Sequence, residues 1–107
     1  MGNAINQNAL FGRRLREARL QAEIAQDKLG VMIGLDESCS SARMSRYENG
    51  IHSPSFSTVE RIAKVLNLPA AYFYCSDDAL ADIIKIYFHA SIKNQNQLLN
   101  LARNLEI

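Results

Sequence analysis

Residues 43–50, Arg-Met-Ser-Arg-Tyr-Glu-Asn-Gly, decide the fold of this 107-residue chain. Met44 and Tyr47 stand three positions apart, so they share one face of a helix and can point into a core. Arg46 falls on the opposite face, and Gly50 is a residue type that commonly ends a helix. The stretch therefore predicts the second half of an amphipathic helix whose outer face is polar.

A shorter helix is predicted just before this one, at about residues 26–33. It carries three large apolar residues and is followed by Gly34, which is a stop signal. The intervening residues 35–40, Leu-Asp-Glu-Ser-Cys-Ser, are polar and rich in helix-capping types. They predict a loop whose last residue, Ser40, caps the next helix. Together these segments predict a helix-turn-helix over about residues 26–49.

The rest of the chain is also predicted to be helical. Apolar residues recur at helical spacing, and no segment alternates for long enough to indicate a strand. Helices are expected at about residues 8–21, at 56–67 with Ser55 as cap, briefly after Pro69, between Asp78 and a break near Ser91, and at about 94–105. The predicted fold class is all-α.

The two C-terminal helices carry more large apolar side chains than a lone surface helix should expose. These side chains are Leu80, Ile83, Ile84, Tyr87, Phe88, Leu98, Leu101 and Leu105. Such faces either cover the core or meet a second chain. We therefore expect two units, a helix-turn-helix domain at residues 8–74 and a dimerising helical extension at residues 75–107.

Composition limits the class of protein. The chain has 48% hydrophobic residues and a net charge of +1, so a core can form, but the strongly basic balance of a non-specific nucleic-acid binder is missing. No apolar run approaches the roughly 18 residues of a membrane span, and the N-terminus lacks signal-peptide features. A cytoplasmic protein without membrane contact is therefore expected. A cluster of arginines forms either a solvated helix face or a phosphate-facing edge; its members are Arg13, Arg14, Arg16 and Arg19.

Neither metal nor enzyme chemistry is indicated. Cys39 and Cys75 lie far apart, outside any CxxC motif and away from both histidines in sequence, so no metal site is predicted. Two reduced thiols are expected, with a redox-sensing Cys39 as the sharper alternative. No phosphate loop, HExxH or nucleophile motif occurs, so we predict no catalytic residues, no cofactor and no small-molecule effector.

Four segments follow one another in a characteristic order between residues 11 and 73. They are Phe-Gly-Arg-Arg-Leu-Arg-Glu-Ala-Arg at 11–19, Ile-Ala-Gln-Asp-Lys-Leu-Gly at 24–30, Met-Ser-Arg-Tyr-Glu-Asn-Gly at 44–50 and Gly-Ile-His-Ser-Pro at 50–54. In this order they resemble the phage Cro and lambda-repressor family, the xenobiotic-response-element class of helix-turn-helix regulators. The resemblance implies a lambda-repressor-like five-helix DNA-binding domain with two additional C-terminal helices.

The helix at about residues 41–49 is expected to read the major groove of duplex DNA, which admits one helix. Arg46 is the best candidate for a base contact, because a guanidinium can bind guanine O6 and N7 through two hydrogen bonds. The alternative is an ordinary exposed arginine. The other DNA contacts that the resemblance implies are Gln26, Ser40, Ser41, Ala42, Arg43, Ser45 and Asn49. Among them, Gln26 and Asn49 match phosphate contacts of the family, with helix capping as the alternative role.

Arg19 and Glu48 resemble the family's buried ion pair between the first helix and the end of the DNA-reading helix. Removing one partner of such a pair costs about 3–5 kcal/mol when it is truly buried. The chain departs from the family in having Gly30 where alanine is usual, and in a longer turn between Gly34 and Met44. Glycine at position 30 permits a close crossing of two helices.

We predict a sequence-specific double-stranded DNA-binding transcriptional regulator, a repressor, that binds a two-fold operator as a homodimer. A dimer is expected because one reading helix gives too few base contacts for tight binding. The alternative is a protein-interaction module, such as an antitoxin or an adaptor, that keeps the fold with weak or no DNA binding. The near-neutral charge and the acidic pair Asp36 and Glu37 favour it somewhat. An enzyme is the weakest of the three.

Overall fold

The computed structural model describes residues 6–105, and these are helical throughout, with no strand among them. In chain order the elements are α1 (Gln7–Gln21), α2 (Gln26–Met32), α3 (Glu37–Glu48), α4 (Phe56–Leu66), a 3-10 helix (Ala70–Tyr74), α5 (Asp78–His89) and α6 (Ile92–Arg103). The predicted all-α class is confirmed. Four α-helices and the 3-10 helix form the expected five-helix unit, and α5 and α6 are the two additional helices.

Side-chain caps fix where most helices begin. The Ser55 hydroxyl accepts a hydrogen bond from the Thr58 backbone N–H at 3.2 Å, as predicted. Asp77 caps α5 in the same way, through the Leu80 N–H at 3.0 Å, and Ser91 caps α6. Each cap satisfies one of the N–H groups that a helix start leaves without a partner.

The start of α3 differs from the prediction. Asp36 is its N-cap, with the side chain accepting from the Ser38 N–H at 3.1 Å, so residues 37–40 are an extra helical turn rather than a loop. The predicted cap, Ser40, lies inside the helix and is fully buried. Its hydroxyl donates to the backbone carbonyl of Asp27 at 2.6 Å. Packing against α2 therefore overrides the low helix preference of this serine-rich segment.

The core lies between α1, α3, α4 and the 3-10 helix, with α2 closing one side. Its largest fully buried side chains are Phe73, Leu15, Leu29, Met44, Ile62 and Val59. Side chains of this size contribute about 1.5–3 kcal/mol each when fully buried. The first four helices each contribute buried apolar side chains to this core, whereas Met32, one of the three large apolar residues of the predicted second helix, is 56% exposed.

Two glycines allow α3 to approach its neighbouring helices closely. A Cβ atom on Gly12 of α1 would lie 2.3 Å from the Glu48 carbonyl oxygen. A Cβ atom on Gly30 of α2 would lie 1.9 Å from the Ser40 hydroxyl oxygen. Real Cβ atoms are essentially never found at such distances, so the crossing at Gly12 requires glycine, and a larger residue at position 30 would displace the Ser40 side chain. The position of α3 is thus set by close packing on two sides.

The C-terminal helices extend away from this core. Ala81 is the only buried residue of α5, and no residue of α6 is buried. The radius of gyration is 15.7 Å, whereas a compact chain of this length would have about 13 Å. The chain therefore consists of a compact unit formed by α1 to α4 and the 3-10 helix, which we call the head, and of an arm formed by α5 and α6. None of the helices in the described part of the chain combines the length and apolar character needed to cross a membrane.

Candidate nucleic-acid interface

Helix α3 has one buried and one exposed face. Ser40, Met44 and Tyr47 point into the protein. The exposed face carries Ser41, Ala42, Arg43 and Arg46, with Ser45 half-buried beside them. Three of these side chains are small, so the backbone of α3 can approach a flat or concave partner closely. The structure therefore brings most of the predicted contact residues onto one accessible surface.

The two arginines on this surface are available for a partner. Neither Arg43 nor Arg46 makes a side-chain hydrogen bond or ion pair with any other residue that the structure describes. At the end of the helix, the Asn49 amide donates to the Ser45 hydroxyl at 3.1 Å. Asn49 is also the C-terminal cap residue of α3 and is exposed. The exposed face thus ends in the hydrogen-bonded pair of Ser45 and Asn49, next to the Arg46 guanidinium.

A buried carboxylate joins α3 to the two helices before it. The Arg19 guanidinium donates to both oxygens of Glu48, from Nε at 2.5 Å and from Nη2 at 3.1 Å. The side chains of Arg19 and Glu48 are only 11% and 4% exposed. Arg19 also donates from Nη1 to the Ile24 carbonyl oxygen at 2.9 Å. The ion pair expected from the sequence is therefore present, and it keeps a negative charge on α3 neutralised.

Gln26 lies where α2 begins, next to this ion pair. Its side-chain amide donates to Glu48 Oε1 at 3.0 Å, so one of its two N–H groups is directed at the ion pair. Gln26 is half-buried and is the first residue of α2. The residue before it, Ala25, provides no side-chain cap. The amide of Gln26 therefore holds α2 against the end of α3, while the backbone N–H groups of this helix start remain uncapped.

Ser40 must be removed from the set of surface residues. It is fully buried, and its hydroxyl is used by the Asp27 carbonyl. The sequence prediction failed here because it placed the helix start at Ser40, whereas Asp36 is the cap. The acidic Glu37 directly after Asp36 was a signal for that earlier start, since acids favour the first turn of a helix.

Hydrogen bonds stabilise the charged carboxylate at the start of α3. The pKa of Asp36 is lowered from its ordinary value, chiefly because the Ser38 hydroxyl donates to its carboxylate and also because the Ser38 backbone N–H does. Glu37 is exposed in the same turn. Both carboxylates lie at the positive end of the helix dipole, which reduces the repulsion they would exert on an anionic partner.

The arginine cluster of α1 does not form a single phosphate-facing edge. Arg14 and Arg19 are buried in separate contacts, the former with Asp78 and the latter with Glu48. Arg13 also pairs with Asp78, at 3.1 Å, and only Arg16 remains without such a contact among the described residues. The cluster is therefore mainly structural.

The described residues contain no group of three histidine, cysteine or acidic side chains able to hold a metal ion. Cys39 and Cys75 are both half-buried free thiols.

The arrangement of two short helices against each other, with the second exposing a polar face, agrees with comparisons to known proteins. A family model described as a helix-turn-helix domain matches residues 10–72, which is more than half of the chain. The chain belongs to this helix-turn-helix family. The matched region contains most of α1, all of α2 to α4 and most of the 3-10 helix, so it corresponds to the head of the molecule.

Two relatives of this helix-turn-helix protein are uncharacterized HTH-type transcriptional regulators from Sinorhizobium medicae and Rhizobium meliloti. Each is 30% identical over 71 residues, which are 66% of this chain and 47% of the relative. The chain thus spans about half the length of the curated relatives it matches.

The crystal structure of the transcriptional regulator BswR is similar over most of both chains. The TM-score is 0.85 at 39% sequence identity, and the match covers 88% of this chain and 93% of BswR. Because the coverage exceeds the share of the chain that the head represents, the similarity extends into the C-terminal arm of this helix-turn-helix protein.

Proposed function

We propose that this helix-turn-helix protein is a sequence-specific double-stranded DNA-binding transcriptional regulator, and that it represses transcription as a homodimer on a two-fold operator. The observation that carries the proposal is the exposed face of α3, on which Arg46 stands free beside small side chains. The opposite face of the same helix is locked into the core. Such a helix can enter a major groove, about 12 Å wide, without deforming.

Base reading is assigned to the exposed face of α3. The Arg46 guanidinium can donate two hydrogen bonds to guanine O6 and N7, and the methyl group of Ala42 suits a thymine methyl. Ser41 can donate or accept a hydrogen bond. Arg43 and Ser45 lie on the same exposed side of α3 and can contact bases or phosphates.

Phosphate binding is assigned to the ends of the two helices. The uncapped N–H groups at the start of α2 form an anion-attracting helix terminus beside Gln26. One N–H of the Gln26 amide is engaged by Glu48, so we assign the phosphate contact to its second N–H, to the backbone there and to the exposed Asn49. Phosphate contacts of this kind fix the register of a protein on the duplex rather than its sequence preference.

Dimerisation is assigned to the arm, which we place at residues 75–107, with the DNA-binding domain at residues 8–74. Large apolar side chains remain exposed along α5 and α6, among them Ile83 at 60%, Ile86 at 59% and Leu101 at 62%. A second copy of the chain would cover these faces in a two-fold, self-complementary contact. The dimer would present two reading helices to half-sites roughly one helical turn, about 34–36 Å, apart. A dimer bound over a promoter would repress transcription by excluding other proteins.

Selection of duplexes from a random pool, followed by affinity measurement, tests the proposal. We expect a two-fold symmetric consensus with a guanine in each half-site. Arg46→Ala should lose about 1–3 kcal/mol of binding free energy and relax the preference at that guanine. Arg16→Ala, which removes an exposed arginine from α1, is the control and should bind as wild type does. An Arg46→Ala variant with unchanged affinity and consensus would refute the groove assignment.

The second candidate is a protein-interaction module with weak or no DNA binding. The net charge of +1 and the acidic turn at the start of α3 favour it. Salt dependence separates the two functions. A protein that neutralises several phosphates loses affinity steeply as the salt concentration rises, because the counterions it releases gain less entropy in a more concentrated salt solution. Absence of duplex binding at low salt would favour the interaction module.

A further inference from the structure

A buried arginine fork crosses the boundary between the head and the arm. Arg14 of α1 donates to the Cys75 carbonyl oxygen from Nε at 3.0 Å and from Nη2 at 2.8 Å. The same Nη2 donates to Asp78 at 2.9 Å, and the guanidinium lies over the Tyr72 ring, 5.6 Å from its centroid. The Arg14 side chain is 5% exposed. A planar group held on three sides in this way fixes both the position and the direction of its partners.

The partners of Arg14 are the residues through which the chain leaves the head. Cys75 follows the 3-10 helix directly, and Asp78 is the first residue of α5. Arg13 also donates to Asp78, at 3.1 Å. The hydrogen bonds from Arg13 and then Arg14 lower the pKa of the Asp78 carboxyl below its ordinary value, so this carboxylate is charged at neutral pH. The start of α5 is therefore held by two cations of α1.

The remaining attachment of α5 to the head is slight and largely polar. Ala81 is buried, and Ile84 packs against the edge of the core. Farther along, the Lys85 ammonium donates to the Gln21 side-chain oxygen at 3.0 Å. Near the end of α5, His89 Nε2 donates to the Asn67 carbonyl oxygen at 2.7 Å. Since apolar packing is limited, the angle between arm and head depends on these polar contacts, of which the Arg14 fork is the most buried.

We propose that Arg14 is a positioning residue that sets the spacing between the two half-sites of the operator. The proposal rests on the proposed function, in which the arm dimerises and the head reads DNA. In such a dimer the separation of the two α3 helices depends on the angle at which each head leaves its arm. Across half of the 51 Å length of the molecule, a rotation of roughly 10° moves α3 by about 4 Å, close to the rise of about 3.4 Å per base pair.

The test measures affinity for duplexes that carry two copies of the selected half-site, separated by spacers that change in steps of one base pair. Wild type should prefer one spacing and lose at least about tenfold in affinity one base pair away. Arg14→Lys keeps the charge but cannot form the two-pronged contact with Cys75. Its affinity for the duplex with the preferred spacer should be about 5–10-fold lower than that of wild type, and its affinity should change less with spacer length. Its affinity for a single half-site should be unchanged.

Three variants make the outcome decisive. Asp78→Ala changes an exposed side chain, so it should fold even if Arg14→Lys does not, and its affinity should also change less with spacer length. Arg16→Lys and Asp82→Ala are matched exposed controls on α1 and α5, and both should keep the wild-type dependence of affinity on spacer length. If folded, dimeric Arg14→Lys and Asp78→Ala keep a dependence of affinity on spacer length as sharp as that of wild type, the role of the fork is refuted and the proposed dimer is not. A wild-type protein that binds two half-sites no better than one overturns the proposed dimer and the role of the fork together.

Discussion

Glu48 shows how much of this structure depends on single side chains. Its carboxylate is reached from α1 by Arg19 and from α2 by Gln26, while Glu48 itself ends α3. The carboxylate is therefore the point at which α1, α2 and α3 meet. All its strong partners are donors, so the charge is satisfied although it is removed from water.

Arg19→Met should lower the free energy of unfolding by about 3–5 kcal/mol, because it leaves the Glu48 carboxylate buried with only an amide as partner. Urea denaturation measures this change. Arg16→Met, at an exposed position on the same helix, is the control and should change stability by less than about 0.5 kcal/mol. A loss in Arg19→Met no larger than in the control would show that the pair contributes nothing.

At the scale of helices, the crossing of α2 and α3 depends on a glycine facing a serine. Gly30 leaves room for the Ser40 hydroxyl, which then donates to the Asp27 carbonyl of α2. The extra turn of α3 is thereby held against α2 by both packing and a hydrogen bond. The presence of glycine where related sequences usually have alanine is explained by this contact.

Gly30→Ala should destabilise the protein by about 1–3 kcal/mol through overpacking, although alanine is the better helix former by about 1 kcal/mol. Thermal and urea unfolding measure the loss. The double variant Gly30→Ala with Ser40→Ala removes the clashing hydroxyl and should recover part of the stability. If Gly30→Ala were as stable as wild type, the close crossing described above would be incorrect.

Most helices were predictable from the sequence because their apolar residues recur at helical spacing and their caps are standard types. The helix α4 with Ser55 as cap is the clearest example. The first turn of α3 was not predictable in this way, since residues 37–40 contain no large apolar residue. Asp36 and Glu37 are a local signal for the start of this turn, whereas the packing of Ser40 against Gly30, which holds the turn in place, is a tertiary effect.

The candidate site was predictable in part. Arg46 and its small neighbours lie on an exposed face, and the Arg19–Glu48 pair follows the family pattern. The engagement of Gln26 by Glu48 was not foreseen, because an amide at a helix start can equally well point outward. The Arg14 fork was also beyond the sequence, since its partners lie more than sixty positions away.

At the scale of the whole molecule, α6 is a helix without a buried side chain. A 12-residue helix is only marginally stable in water by itself, so it needs a surface that covers its apolar face. Between α5 and α6 lies a shallow groove of about 320 Å³, whose apolar lining residues are Ile86, Ala90, Leu98 and Leu101. A second copy of the chain seated here would give α6 the contacts it lacks.

Leu101→Glu should convert the proposed dimer to a monomer, because it places a charge in the centre of the covered face. Light scattering at increasing concentration measures the state, and circular dichroism should show a loss of helix as α6 frays. Asn96→Glu adds the same charge about 140° around α6 and is the control, which should stay dimeric. A wild-type protein that is monomeric at high concentration would contradict the dimer.

The two faces of α3 have a consequence for how proteins of this kind diverge. Ser41, Ala42 and Arg46 contribute nothing to the core, whereas Met44 and Tyr47 in the same helix are fixed by it. Substitutions on the outer face are therefore close to neutral for folding. On the proposed function, a duplicated gene copy can change the DNA sequence that it prefers one residue at a time, while every variant along the way still folds.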